Sequence, residues 1–276
     1  MNPLFRQPWL QKGATTLYAC QFDQRFSYCA YVPDCYDGEQ PGNHPFVVLI
    51  HGTDRTAQKY RDGFKEFAEA TGAIILAPLF PAGIIDPEEL NAYKFIESHE
   101  IRYDEILLAM IKEFSGKYGV ACDKFLLFGF SGGAQFVHRF YYLHPERLHG
   151  VSVASPGNVT LLDETRDWFV GTRGAAVRFG KEINEELLRK VPVQLVIGSE
   201  DNMVLKTGAE NPFWLEGVDA AGSSRLERIR TLRDGMVEKG ISVRYDEVQG
   251  VSHEGMKLFE PVQRFFGEVL SRLEAF

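Results

Sequence analysis

A serine is the residue whose surroundings first suggest chemistry. Ser131 stands in the run Gly129-Phe130-Ser131-Gly132-Gly133, with the apolar stretch Leu126-Leu127-Phe128 leading in and a helical pattern leading out. A strand that ends in a very tight turn and passes at once into a helix leaves one hydroxyl at its tip. The spacing G-x-S-x-G gives the glycines a steric task. Strand and helix pass so close that a Cβ at Gly129 or Gly133 would clash, and the serine takes a strained backbone position. A serine hydroxyl is a weak nucleophile at neutral pH. It needs a base to take its proton and a further group to orient that base.

Side chains at the carboxyl ends of parallel strands converge in one crevice, so acids and histidines that follow strand-like runs are the candidates. Asp201 follows Val193-Gln194-Leu195-Val196-Ile197-Gly198, with Glu200 as its rival. His253 follows a strand ending near Val248, in the glycine-flanked loop Gly250-Val251-Ser252-His253-Glu254-Gly255. The expected assignment is Ser131 as nucleophile, His253 as general base and Asp201 as orienting acid. A developing oxyanion needs N–H donors, and Gly132 offers one at the start of the helix after the serine. His138, His144 and His149 read as packing or capping groups of that helix. His44 and His99 read as loop residues and His51 as structural. Trp168, Phe169, Phe213 and Trp214 are candidates for an apolar acyl pocket, each equally readable as core or lid packing. Arg166, Arg173 and Arg178 read as solvated charges rather than as a carboxylate site.

The elements that must position these groups alternate. Residues 15–32 read as an antiparallel hairpin at a sheet edge. Phe46–Ile50, Ala73–Ala77, Phe125–Phe128, Val151–Ala154 and Val193–Gly198 are continuous apolar runs of the kind buried on both faces of a parallel sheet, and Val243–Val248 reads as a half-exposed last strand. Helical patterns cover about 57–71, 103–118, 132–143, 223–239 and a final stretch with Phe259, Val262, Phe266, Val269 and Leu273 on one stripe. Residues 78–100 form a long irregular loop, and long loops in compact domains tend to carry function. Residues 156–190 interrupt the strand–helix rhythm and read as a small cap or lid. The fold class is therefore α/β, one domain over residues 1–276, with a mostly parallel sheet of about eight strands, helices on both faces and a lid insertion.

Composition narrows the partners. The chain of 276 residues carries a net charge of −8 and no basic run, which argues against nucleic acid or an anionic membrane. Arg225, Arg228, Arg230 and Arg233 lie on one helical stretch among acids and read as a solvated face. No stretch of about 18 apolar residues predicts a membrane span. The first residues lack an apolar signal core, and Cys20, Cys29, Cys35 and Cys122 read as reduced thiols, although Cys20 and Cys29 fall on neighbouring strands and could face each other. A cytoplasmic protein is the expectation. No C-x-x-C pair, H-E-x-x-H or phosphate-cradling glycine loop occurs, so neither metal nor cofactor is expected. A homodimer is left open.

The chain resembles the α/β-hydrolase superfamily, in its serine esterase and polyhydroxyalkanoate-depolymerase-like branch. The resemblance covers roughly residues 45–270. It rests on His51-Gly52-Thr53, the elbow at 129–133, Gly198-Ser199-Glu200-Asp201 and Gly250-Val251-Ser252-His253. It implies the α/β-hydrolase fold and acyl transfer to water through an acyl-enzyme. It also implies that the backbone N–H of Thr53 joins that of Gly132 in an oxyanion hole, Gly52 being the alternative. The expected substrate is a small or medium carboxylic ester, with amide and thioester hydrolysis as variants of the same machinery and a non-catalytic binding role as the competing class.

Overall fold

The structure, a computed structural model, describes residues 12–40, 44–205, 208 and 214–274. Two short strands, β1 (Gly13–Ala14) and β2 (Tyr18–Ala19), pair antiparallel with β3 (Ser27–Val32), and β3 pairs antiparallel with β5 (Ile74–Leu79). From there the sheet is parallel, through β4 (Phe46–Ile50), β8 (Phe125–Phe130), β9 (Leu148–Ala154), β10 (Val193–Gly198) and β11 (Val243–Val248). The order across this nine-stranded sheet is β1-β3-β5-β4-β8-β9-β10-β11, with β2 also on β3. The remaining strands, β6 (Glu97–Ser98) and β7 (Ile101–Arg102), form a separate small hairpin inside the long loop.

The period-two alternation of each strand sorts side chains between two cores. In β8, Phe125 and Leu127 face one cluster, and Leu126, Phe128 and Phe130 face the other. Helices α3 (Tyr103–Tyr118), α4 (Gly132–Leu143) and α7 (Arg225–Glu238) cover the first face; α1 (Ala57–Gly63), α2 (Lys65–Thr71) and α8 (Phe259–Glu274) cover the second. The single helix expected over 57–71 is two. The chain breaks at Phe64, whose ring drops among Phe67, Phe128, Phe259 and Phe266. Gly63 leaves room there, since a Cβ would run into the Phe259 ring.

Every residue of α4 is buried. A helix buried all round needs cover on its outer side as well as the sheet beneath it. The segment 156–190, with its short helices α5 (Ala175–Phe179) and α6 (Glu185–Leu188), supplies much of that cover. Tyr142 donates to the Thr160 carbonyl at 2.9 Å, the Thr160 N–H donates to His138 Nε2 at 3.0 Å, and Tyr141 donates to the Leu188 carbonyl at 2.8 Å. The segment forms a second layer over α4. All four cysteines are free, and Cys20 and Cys29 sit in separate apolar clusters. No helix among the described residues is long and apolar enough to cross a membrane.

Candidate active site

The tight turn after β8 is built by close approach. Ser131 has φ +55°, a region that non-glycine residues avoid, and its N–H is fixed by the Ala154 carbonyl at 2.9 Å. A Cβ at Gly129 would collide with the Gly133 carbonyl, and one at Gly133 with the carbonyls of Ile50 and His51. The glycines therefore let α4 leave directly above the ends of β4 and β8, which aims the Ser131 hydroxyl outward.

Two other parallel strands deliver the partners. Asp201 follows β10 in a turn closed by its own N–H to the Gly198 carbonyl at 3.1 Å, and His253 follows β11. His253 Nε2 lies 3.0 Å from Ser131 Oγ, and Nδ1 lies 2.7 Å from Asp201 Oδ2. A carboxylate only accepts, so Nδ1–H donates to Asp201 and Nε2 is left to accept the serine proton. Asp201 is 2 % exposed. Burial alone would raise its pKa, but the His253 hydrogen bond and the charges of His253 and Arg225 outweigh that and hold it below the usual carboxylate range. The His253 ring lies 4.6 Å from that of Phe130. Glu200 is exposed and points its backbone, not its carboxylate, into the turn, through its N–H to the Val251 carbonyl.

The loop after β4 forms the opposite lip. His51 is fully buried, donating to the Gly52 carbonyl and accepting from the Phe80 N–H at 3.0 Å; burial pushes its pKa down to about 4 and keeps the ring neutral. Arg55 bonds the Thr53 and Leu90 carbonyls and lies over the Tyr93 ring, so it ties this loop to the long loop at 78–100. Tyr93 in turn donates to the His51 carbonyl at 3.1 Å. Thr53 and Gly132 adjoin: a Cβ at Gly132 would come within 3.1 Å of Thr53 Oγ1 and would also crowd Tyr93 and Lys94. The Gly132 N–H belongs to the first turn of α4, where helix amides have no intrahelical acceptor.

Beside Ser131 opens a cavity of about 360 Å³ walled by Thr53, Lys94, Gln135, Gly157, Asn158, Val204, Leu205, Arg225 and Arg228. Of the residues expected to give an apolar lining, the described ones, Trp168, Phe169 and Trp214, do not wall it. Trp168 packs on Phe179 at 4.9 Å, and Phe169 packs on Phe95 at 4.4 Å. Both are core residues of the layer over α4, because the chain around them turns inward to cover that helix. Trp214 is 42 % exposed and walls no part of this cavity, and Phe213 lies outside the described residues. Arg166, Arg173 and Arg178 pair with Asp163, Asp167 and Glu97 respectively. The solvated reading of α7 fails for half of its arginines. Arg225 and Arg228 share the inward face with Ile229 and Leu232 and are buried, while Arg230 and Arg233 meet Glu247 and Asp234 outside. Their spacing with Ile229 and Leu232 is the signal that marks them as inward.

No family model and no curated protein sequence matches the chain. Solved structures do. It superposes on a poly(aspartic acid) hydrolase of Sphingomonas sp. KT-1 with TM-score 0.72 and 20% identity, covering 92% of this chain and 98% of that one. A poly(3-hydroxybutyrate) depolymerase of Bordetella parapertussis gives TM-score 0.72 at 22% identity, over 92% and 90% of the two chains. An S-formylglutathione hydrolase of Agrobacterium tumefaciens gives 0.59 at 14%, over 94% of each. With this strand order, the turn at Ser131 and these neighbours, the chain has the α/β-hydrolase fold.

Proposed function

We propose that the protein is a serine hydrolase that cleaves a small or medium carboxylic ester through an acyl-enzyme. The observation that carries the reading is the hydrogen-bond chain from Asp201 through His253 to Ser131, at 2.7 and 3.0 Å. Ser131 Oγ attacks the ester carbonyl carbon while its proton passes to His253 Nε2, and Asp201 stabilises the imidazolium that forms. The carbonyl oxygen gains charge between the N–H groups of Gly132 and Thr53. Collapse expels the alcohol, which takes the proton from His253. Water then enters, gives a proton to His253 and attacks the acyl carbon, and Ser131 leaves with that proton restored. Four unpaired thiols support a reducing compartment, and we infer a cytoplasmic enzyme.

A fluorophosphonate probe should label the protein at Ser131, and Ser131→Ala should lose labelling together with activity by on the order of 10⁶-fold. Ester turnover that survives in Ser131→Ala would overturn the reading. Acyl-matched ester, thioester and amide substrates, assayed side by side, should rank the ester first.

A further inference from the structure

Three cations wall the cavity beside Ser131; Arg225 meets Asp201 and Arg228 meets Asp219, and Lys94 has no acid partner among the described residues. Lys94 sits in the 3-10 turn Ala92–Phe95 of the long loop, is 7 % exposed, and its ammonium meets Asn91 Oδ1 at 2.5 Å and no carboxylate among the described residues. Arg225, 9 % exposed, gives one Nη1 bond to Asp201 at 3.2 Å, while its buried Nε finds no partner among the described residues. Behind the wall, Arg139 of α4 is fully buried. Among the described residues it bonds only neutral acceptors, Thr160 Oγ1 and the carbonyls of Lys94 and Gln135, and its Nη2 has none. Arg228 is different. Carbonyls of Gly222, Gly157 and Leu205, the Asn158 amide and Asp219 occupy its guanidinium. No acid walls the cavity among the described residues, and Asp201 is already engaged by His253.

Buried cations without counter-charge are costly, and an anion that enters beside them recovers part of that cost. We propose that the substrate carries an anionic group such as a carboxylate near its scissile ester, received by Lys94 with Arg225. This rests on the serine hydrolase reading above and narrows its substrate class. The geometry favours Lys94 as the principal contact, because Arg225 is committed on one side to Asp201 and Arg228 has no donor left. Burial and Arg55 push the Lys94 pKa down against the pull of Glu89, and Arg225 and Arg139 add to the push, leaving it at about 8. The ammonium therefore loses its charge as pH rises through that value, and recognition of an anion should fade there.

The test compares charged and neutral esters of matched size on both sides of the bond. On the acyl side these are para-nitrophenyl monoadipate and para-nitrophenyl hexanoate; on the alcohol side, para-acetoxybenzoate and its methyl ester. In at least one pair the anionic ester should show a kcat/KM about tenfold higher or more, the scale of a hydrogen bond to a charged group. Lys94→Met should cut that ratio by about tenfold, and Lys94→Arg should keep most of it. The ratio should also shrink in wild type above pH 8. Equal or reversed preference in both pairs overturns the proposal, and so does a preference that persists in folded Lys94→Met. Wild type supplies the first of these results even if the variants do not fold. Absence of fluorophosphonate labelling in wild type would overturn the hydrolase reading and this proposal with it. Labelling without charge preference would overturn this proposal alone.

Discussion

Among the described residues two buried aspartates each meet a histidine in pairs of almost the same construction, and the pairs differ in what the histidine faces next. In one, Asp201 meets His253 at 2.7 Å, Arg225 bonds the second carboxylate oxygen, and the imidazole lies 4.6 Å from Phe130. In the other, Asp104 meets His144 at 2.8 Å, Arg102 grips the carboxylate with two bonds, and the imidazole lies 4.6 Å from Phe140. In both, burial would raise the carboxyl pKa, and the histidine and arginine outweigh it and hold the acid low. The far nitrogen decides the role. His253 Nε2 faces the Ser131 hydroxyl, a donor whose proton can be taken to release a nucleophile. His144 Nδ1 faces the Lys181 ammonium, which fills the acceptor site and offers nothing to attack with. Exposure follows the same division, 31% of the His253 side chain against 4% of that of His144. An Asp–His pair orients an imidazole; only the third partner and access to substrate turn orientation into general-base chemistry.

Parallel Asn substitutions would break this comparison if the two pairs proved interchangeable. Asp201→Asn should lower kcat by on the order of 10⁴-fold in an ester assay, because an amide can hold His253 in the wrong tautomer and cannot stabilise the imidazolium. Asp104→Asn should leave ester turnover near wild type. Equal kinetic damage from both would mean that the second pair supports the site in a way its contacts do not suggest.

Stability should divide in the opposite direction. Asp104 is wholly buried between α3 and the end of α4, and its loss leaves Arg102 and His144 facing a neutral amide. Asp104→Asn should lower unfolding free energy by about 3 kcal/mol in urea titrations, the range for removing one member of a buried ion pair. Asp201→Asn should cost less, since His253 opens to solvent and can hydrate. A larger loss in Asp201→Asn would reverse the assignment of one pair to structure and the other to chemistry.

The sequence makes the strand-borne parts of this arrangement legible. Apolar runs followed by turn residues mark parallel strands, and a parallel sheet puts their carboxyl ends on one edge, so Ser131, Asp201 and His253 stand out by position as candidates, with Glu200 as the rival of Asp201. The Asp104–His144 pair has no such mark, because helix ends converge through packing that no local period encodes. Arg225 and Arg228 look like surface charges until their spacing with Ile229 and Leu232 is read as one inward face. Lys94 lies in an aperiodic loop, and what carries it to the cavity is a set of contacts from distant segments: Tyr93 to the His51 carbonyl and Arg139 to the Lys94 carbonyl. Trp168 and Phe169 illustrate the reverse case. Their size suggests a pocket, yet the need to cover the outer side of α4 turns them into core.

Acid unfolding gives the smallest and sharpest discrimination. His51 is buried neutral with a pKa near 4, whereas an unfolded histidine takes its proton near pH 6.5. Between those values the unfolded chain binds the extra proton, so stability falls as pH drops from about 6.5 to 4. The paired aspartates act in a lower window. Their folded pKa values lie below the ordinary carboxylate value, so the stability they contribute is complete above about pH 4 and is lost as pH falls through the folded values. Urea midpoints measured from pH 7 down to pH 3 should therefore show one decline in wild type that spans both windows. Asp104→Asn should keep the upper part of that decline, which belongs to the buried His51 and His138 with the half-buried His149, and make the lower part shallower by the share of its own carboxylate. Asp201→Asn should make the lower part shallower as well, to a degree set by how firmly the partly exposed His253 holds its acid. Were the lower slope unchanged in Asp104→Asn, Asp104 would not be the carboxylate that His144 and Arg102 hold low, and the structural half of the comparison would fail.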